Sequence, residues 1–259
     1  MEKAPGMIVT LLTDFGTADG YVGEMKGVLA ALAPDTELVD ITHDISPQDI
    51  EGGRLALARY WQRFPTGTVH LAVVDPGVGG SRAALAVSAA GRYLVGPDNG
   101  LLSPALLMPS AQVVELPIPP GASATFHGRD VFAPAAARLA LGATIETLGQ
   151  QPAVEPVIRR TPEPKRGVDG GLHGIVMTID RFGNAITNLV GLRGGSITVG
   201  DRTLPIVRSY IDVPAGAVTA VCGSSGLIEI AEREGNAARS LRLTRGASVV
   251  YWPPAPPSL

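Results

Sequence analysis

The period of the hydrophobic pattern changes part-way along this chain, and that change limits the possible folds more than any composition figure. Up to about residue 142, short apolar, β-branched runs alternate with segments whose apolar residues recur at helical spacing. Residues 8–13 form the first run and stop at Asp14-Phe15-Gly16. Val22, Met25, Val28, Leu29 and Leu32 then share one helical face over 21–33, which Pro34 ends. A strand over 37–41, a helix over 50–64 closed by Pro65 and an unbroken apolar strand over 68–74 follow. Shorter strands are expected at 84–88, 93–95 and 113–116, then an alanine-rich helix at 130–141 with Gly142 as its stop. Strands that are apolar on both faces and separated by helices predict an α/β domain whose mostly parallel sheet is covered on both sides.

Beyond this, Pro152, Pro156, Pro162 and Pro164 mark a linker, and the helical period nearly vanishes. Short strands bounded by Gly-rich turns are predicted at 175–179, 196–199, 203–207, 217–221, 227–231, 240–243 and 248–252. They point to a smaller all-β domain, an antiparallel barrel or sandwich. The expected organisation is an α/β domain over 1–158, a linker over 159–171 and a barrel-like domain over 172–259, which ends in a Pro-rich tail at 253–259.

Composition enters as a set of exclusions. Hydrophobic residues make up 45% and charged residues 17% of 259, so the many turns implied by 32 Gly and 22 Pro do not mean disorder. The net charge of −3 leaves no basic surplus to hold a polyanion, and nucleic acid is not an expected partner. Cys222 stands alone, which excludes an intrachain disulfide and a Cys-rich zinc site; His43, His70, His127 and His173 make a thin basis for a metal centre, and none is expected. Residues 1–6 lack the apolar core of a signal peptide, and no run of about 18 apolar residues occurs. A cytoplasmic protein with no membrane partner is therefore expected.

In such α/β sheets, ligands bind at the carboxyl ends of the strands. Asp14, Asp44 and Asp75 stand there, as site residues or as turn formers and helix caps. Asp75-Pro-Gly-Val-Gly-Gly-Ser-Arg82 has neither the Gly-Lys-Ser/Thr ending of a phosphate loop nor the glycine spacing of a dinucleotide site. It is a wide turn, or a loop folding a carboxylate and a guanidinium onto one point. His127-Gly128 precedes a helix N-terminus, where backbone N–H groups favour anions. Residues 94–100 read as a turn with Asn99-Gly100 at its tip. Asp180-Arg-Phe-Gly-Asn184 ends a strand, either as a tight hairpin loop or as a source of amide recognition of an adenine edge. Cys222-Gly-Ser-Ser-Gly226 permits close backbone approach to a ligand.

Taken in order, Thr13-Asp-Phe-Gly16 with Asp19, Asp75-Pro-Gly-Val-Gly79, Gly96-Pro-Asp-Asn-Gly100, Phe126-His-Gly-Arg-Asp130 and Asp180-Arg-Phe-Gly-Asn184 make the chain resemble the S-adenosyl-L-methionine (SAM) hydroxide adenosyltransferases. These are SAM hydrolases related to the fluorinase and chlorinase enzymes, and the resemblance runs from about residue 7 to 252. It implies hydrolysis of SAM to adenosine and L-methionine, with no cofactor beyond the substrate. It implies that Asp75, Arg82 and His127 hold the attacking water, that Asp14 binds the ribose hydroxyls, and that Asp19 and Asp180 take the methionine end. Asn184, Ser224 and Ser225 would hold adenine, and Phe126 and Phe182 would line the pocket. It further implies a homotrimer, with each site between one subunit's first domain and its neighbour's second. In the halogenase branch, small hydroxyl residues stand where this chain has Val78 and Gly128, and a phenol stands where it has Asp75. A carboxylate at that point repels halide, which favours water over a halogenase; a non-catalytic adenosine- or SAM-binding protein is the third reading. Gly223 departs from the family pattern, which has Asn before the Ser-Ser-Gly loop.

Overall fold

The computed structural model describes residues 7–191 and 194–254, so residues 1–6 and the end of the Pro-rich tail lie outside the described residues. The chain divides into two compact units, with the boundary between Arg160 and Thr161.

The first unit is built on β1 (Ile8–Thr13), α1 (Tyr21–Leu32), β2 (Glu37–Thr42), α2 (Ile50–Tyr60), β3 (Val69–Val73), β4 (Ala84–Ala89), β5 (Arg92–Pro97), α3 (Ser103–Leu106), β6 (Gln112–Glu115) and α4 (Ala133–Ala140). Its six strands lie in the order β2-β1-β3-β5-β4-β6. Alternate residues of one strand feed opposite faces, as the pleat requires. Val69, Leu71 and Val73 of β3 and Ala84 and Ala86 of β4 join the core beneath α1 and α4. Ala72, Val74, Leu85 and Val87 join the core on the side of α2 and α3. Two-sided burial is why these strands read as continuous apolar runs.

Helix α1 buries Val22, Met25 and Leu29, spaced three and four apart, and stops at Ala33 before Pro34. Helix α2 starts at Asp49, whose side chain accepts the Gly52 N–H (3.0 Å) as an N-cap.

The sheet is mixed, with three of its five strand pairings parallel and two antiparallel. β1 runs parallel to β2 and β3, and β3 parallel to β5. β4 is antiparallel to both β5 and β6. The reason is the connection from β4 to β5, in which Ala90 (φ 47) and Gly91 (φ 71) are both left-handed. A two-residue turn of this kind joins antiparallel neighbours, whereas a parallel pair needs a crossover of a dozen or more residues.

The second unit contains β7 (Lys165–Arg166), β8 (Leu172–Ile179), β9 (Ala185–Val190), β10 (Ser196–Val199), β11 (Arg202–Val207), β12 (Val218–Cys222), β13 (Leu227–Glu232), α5 (Ala237–Ser240) and β14 (Ser248–Trp252). The order β14-β10-β11-β12-β13-β9-β8 closes on itself through β14–β8 pairing, giving a seven-stranded barrel with β7 at the side of β8. One pairing, β11 with β12, is parallel; the others are antiparallel. Ile197/Val199, Leu204/Ile206, Ile228/Ile230 and Val249/Tyr251 point into the barrel with a period of two. The strand expected at 240–243 is absent. Asn236 instead caps α5 by accepting the Arg239 N–H (2.8 Å), and Arg242 (φ 52) turns the chain. β9 lies directly after the loop at Asp180–Asn184, where no strand was expected.

A buried histidine gives the first unit an acid-sensitive core. His70 is fully buried; its Nδ1 lies 2.8 Å from Thr10 Oγ1, and Tyr60, Trp61 and Phe64 stand edge-on around its ring. Burial, and then the charge of Arg92, lower its pKa to about 4. A histidine depressed in the folded state binds its proton more tightly when unfolded, so stability falls as pH drops from about 6.5 towards 4, by about 3 kcal/mol in all. Urea unfolding at pH 7 and pH 5 checks this: His70→Gln flattens the pH dependence, and an unchanged slope in that variant contradicts it.

Candidate active site

The candidate site begins where β3 ends. The chain leaves Val73 and turns through the glycine-rich loop, with Val78 N donating to Asp75 O (3.3 Å) and Gly80 N to Gly77 O (3.1 Å). Gly79 has φ 74, and any Cβ there would overlap the carbonyl oxygen of Ala124, so this position requires glycine. The loop thereby returns Arg82 onto Asp75, seven residues back. Arg82 Nε donates to Asp75 Oδ1 (3.0 Å), and a terminal guanidinium nitrogen donates to Oδ2. The same nitrogen lies 2.9 Å from His127 Nδ1. The Asp75 and Arg82 side chains are only 5% and 10% exposed, and the guanidinium stands 5.3 Å from the ring centre of Phe132.

His127 leads into a π-helical turn, Gly128–Phe132, that runs on into α4. Because Arg82 can only donate, His127 Nδ1 accepts and its remaining proton sits on Nε2. Burial first, and then the charge of Arg82, push the imidazole below its usual pKa, against the pull of Asp75 and Asp130. The three groups thus form a neutral imidazole, a guanidinium and a carboxylate gathered from two loops.

Other expected residues of this unit cluster in smaller groups. Phe126 is buried and packs edge-on against Phe15 (5.9 Å) and Tyr21 (5.4 Å), with Arg129 5.0 Å from its ring centre. Asp14 Oδ2 accepts the Gln48 N–H (2.7 Å), and Asp19 is exposed on the same loop. Asp44 is exposed too.

Of the turn expected over 94–100, residues 94–97 belong to β5 and only 98–100 turn; this short turn contributes what the sequence did not announce. Asn99 Nδ2 donates to the carbonyl of Val74 (2.9 Å), the residue before Asp75, and so fixes the end of β3. Asp98 accepts the Val157 N–H (2.7 Å); burial raises its pKa, opposed by that bond and by Arg82.

In the second unit, Asp180 clasps its own loop. Its Oδ1 accepts from Phe182 N (2.9 Å) and Asn184 N (2.8 Å), and its Oδ2 from Asn184 Nδ2 (2.9 Å). Phe182 is 75% exposed. Ser224 is exposed, whereas the buried hydroxyl of Ser225 has no partner among the described residues. Gly223 and Ser224, with Cys222, Val207 and Arg208, line a cleft of about 540 Å³. Two residues here were missed. Tyr210 donates to Glu229 Oε2 (2.9 Å), and the buried Glu229 carboxylate fills the space that a side chain at 223 would need. That accounts for glycine at 223. Burial and the bond to Glu229 push the Tyr210 phenol up to about 12. Glu229 carries no sequence signal, because it sits on a strand and meets residue 223 only across the β12–β13 pairing.

Among the described residues no helix is long and apolar enough to cross a membrane. The description SAM hydroxide adenosyltransferase N-terminal domain matches residues 9–149, and the corresponding C-terminal domain matches 174–250. A curated (R)-S-adenosyl-L-methionine hydrolase from Thermus thermophilus is 46% identical over 93% of this chain and 98% of its own length. A fluorinase from Nocardia brasiliensis is 29% identical over 93% of this chain and 95% of its own length. The crystal structure of an uncharacterized conserved protein from Thermotoga maritima matches with a TM-score of 0.85 and 31% identity, over 95% of this chain and 99% of that one. With both domains matched in order and a full-length hydrolase relative at this identity, the chain belongs to the SAM hydroxide adenosyltransferase family.

Proposed function

We propose that this protein hydrolyses SAM to adenosine and L-methionine, with a water molecule held by Asp75, Arg82 and His127. The meeting of those three side chains carries the reading. The water oxygen bonds to C5′ of the ribose while the C5′–S bond breaks, and its electron pair leaves with sulfur as a neutral thioether. The water keeps one hydrogen as the 5′-hydroxyl of adenosine and gives up the other as a proton that ends in solvent. A sulfonium leaves without being protonated, so the protein's task is to place a nucleophile in line. Each Asp75 oxygen retains a lone pair beyond its bond to Arg82, enough to accept the water's hydrogen. Arg82 lies close enough to stabilise the charge that develops on oxygen, and His127 Nε2–H supplies a further donor. No cofactor enters this scheme.

The other residues keep the roles that the family pattern implies. Asp14 takes the ribose hydroxyls; Asp19 and Asp180 take the methionine end. Asn184, Ser224 and Ser225 take adenine, with Phe126 and Phe182 as walls. The relative from Thermus thermophilus is named for the (R) form of SAM, and we extend that preference to this chain. The reading includes a cytoplasmic homotrimer. A halogenase is disfavoured because Asp75 sets a negative charge where a halide would approach, and because the hydrolase relative is the more similar of the two branches at 46% against 29% identity.

The test is an incubation with resolved (R)- and (S)-SAM, with and without chloride. Adenosine and methionine in equal amounts, faster from the (R) form, are expected. Absence of adenosine overturns the reading, and 5′-chloro-5′-deoxyadenosine appearing with chloride replaces it by the halogenase.

A further inference from the structure

One polar chain in the first unit takes no part in the scheme above. Thr13, the last residue of β1, is fully buried, and its Oγ1 lies 2.9 Å from His43 Nδ1. His43 is itself buried, and its Nε2 stands 3.1 Å from Asp40 Oδ1, at ion-pair distance but without hydrogen-bond alignment, while Lys26 of α1 donates to Asp40 Oδ2 at 2.5 Å. Phe15 N–H donates to Thr13 Oγ1 (3.3 Å), and the same oxygen lies against His43 Nδ1. The Asp40 carboxylate can only accept, so a proton on His43 Nε2, with Nδ1 accepting from the Thr13 hydroxyl, is the arrangement that suits both neighbours.

Burial would raise the Asp40 carboxyl, but its contacts with Lys26 and His43 prevail and hold it below the usual carboxylate range. The backbone of His43 grips the same loop, since its carbonyl accepts the Gly16 N–H (2.8 Å). His43 therefore holds the residue before Asp14 through its side chain and the second residue after it through its main chain.

Two further observations single out this segment. The β1–β2 register slips between Leu11 and Leu12, so that Leu12 pairs with Thr42 and Ile41 is skipped. Irregularities of this kind re-aim the side chains that follow. Gln48 adopts φ 66, a left-handed conformation that is unfavourable for a residue with a side chain, and it is the N–H of Gln48 that binds Asp14 Oδ2.

We propose that Thr13, His43 and Asp40 are positioning residues for substrate binding: the relay Lys26–Asp40–His43–Thr13 fixes the orientation of the Asp14 carboxylate. None of the four need touch substrate. The proposal rests on the reading of Asp14 as the ribose ligand. A buried hydroxyl at the end of β1 matters here because a carboxylate that must meet two vicinal hydroxyls tolerates little angular freedom.

The experiment compares KM and kcat for SAM in Thr13→Val, Thr13→Ser, Asp40→Asn and Asp14→Ala, with thermal unfolding measured alongside. Valine keeps the volume of threonine and removes the hydroxyl; serine keeps the hydroxyl. Thr13→Val and Asp40→Asn are expected to raise KM about tenfold with kcat within about twofold, and Thr13→Ser to restore KM. A merely structural Thr13 lowers the unfolding temperature in the valine variant without changing KM, and that outcome overturns the proposal. Asp40 is 44% exposed, so Asp40→Asn keeps the test in hand should the valine variant not fold. If Asp14→Ala raises KM while Thr13→Val and Asp40→Asn do not, the relay fails and the ribose assignment stands. If Asp14→Ala leaves KM unchanged, the ribose assignment itself fails.

Discussion

Asp75→Asn is expected to lower kcat for SAM hydrolysis by about 10²–10⁴-fold while leaving SAM or adenosine binding within a few-fold of the parent. The substitution keeps shape and volume and removes the negative charge. In the parent, both carboxylate oxygens accept from Arg82, and the remaining lone pairs are what a bound water can donate to. An asparagine presents one oxygen and one NH2, so one of the two guanidinium contacts becomes donor against donor. Two consequences separate cleanly. Turnover falls because a neutral amide oxygen is a weaker acceptor for the water and cannot take its proton. Stability falls by about 1–3 kcal/mol because a guanidinium only 10% exposed loses its counter-charge. Single-turnover measurements well below the unfolding midpoint read the first effect, and thermal unfolding reads the second. A kcat within threefold of the parent removes Asp75 from the water's coordination and leaves the ion pair as scaffold.

Much of this arrangement was legible in the sequence, for a physical reason that also marks where legibility stops. Periodicity reports what a residue's own strand or helix does, so β1, β3, α1 and α4 stood where the apolar repeats put them. The meeting of Asp75 and Arg82 was one of two readings of their loop in advance, because only six residues, three of them glycine, separate them. Sheet polarity was not legible in the same way. It hung on two left-handed residues, Ala90 and Gly91, and alanine gives no warning of a positive φ. β9 was missed because Asp180–Asn184 is dense in turn formers and masks the strand that begins at Ala185.

The supporting residues are harder still. Asn99 reads locally as a turn residue, yet its amide bonds to Val74, which lies 25 positions away. His43 reaches Thr13 across the β1–β2 pairing through a register slip that no periodicity encodes. Glu229 explains Gly223 only once β12 and β13 are paired. The residues that contact substrate in the proposed scheme sit in recognisable motifs, whereas those that hold them in place are distributed by register.

Arg82→Lys is the second large effect expected, and it separates charge from geometry. Arg82 makes four directed contacts: Nε to Asp75 Oδ1, one terminal nitrogen shared between Asp75 Oδ2 and His127 Nδ1, and the other to the Ala83 carbonyl (3.4 Å). Its planar face also lies over Phe132. A lysine keeps the positive charge, but its ammonium is a point at the end of a flexible stem and cannot hold both partners in fixed directions. His127 then loses the donor that sets its tautomer, and the Nε2–H no longer has a defined direction. Activity is expected to fall by roughly 10²-fold, the scale on which a misplacement of about 1 Å acts. Because the charge survives, the stability loss stays smaller than in Arg82→Ala, where Asp75 is left buried and unpaired. In Arg82→Ala, added guanidinium ion restores part of the turnover if the lost group acts by occupying that space between Asp75 and His127. Full activity in Arg82→Lys means that a nearby positive charge suffices and that the fork-shaped contact with Asp75 serves folding alone.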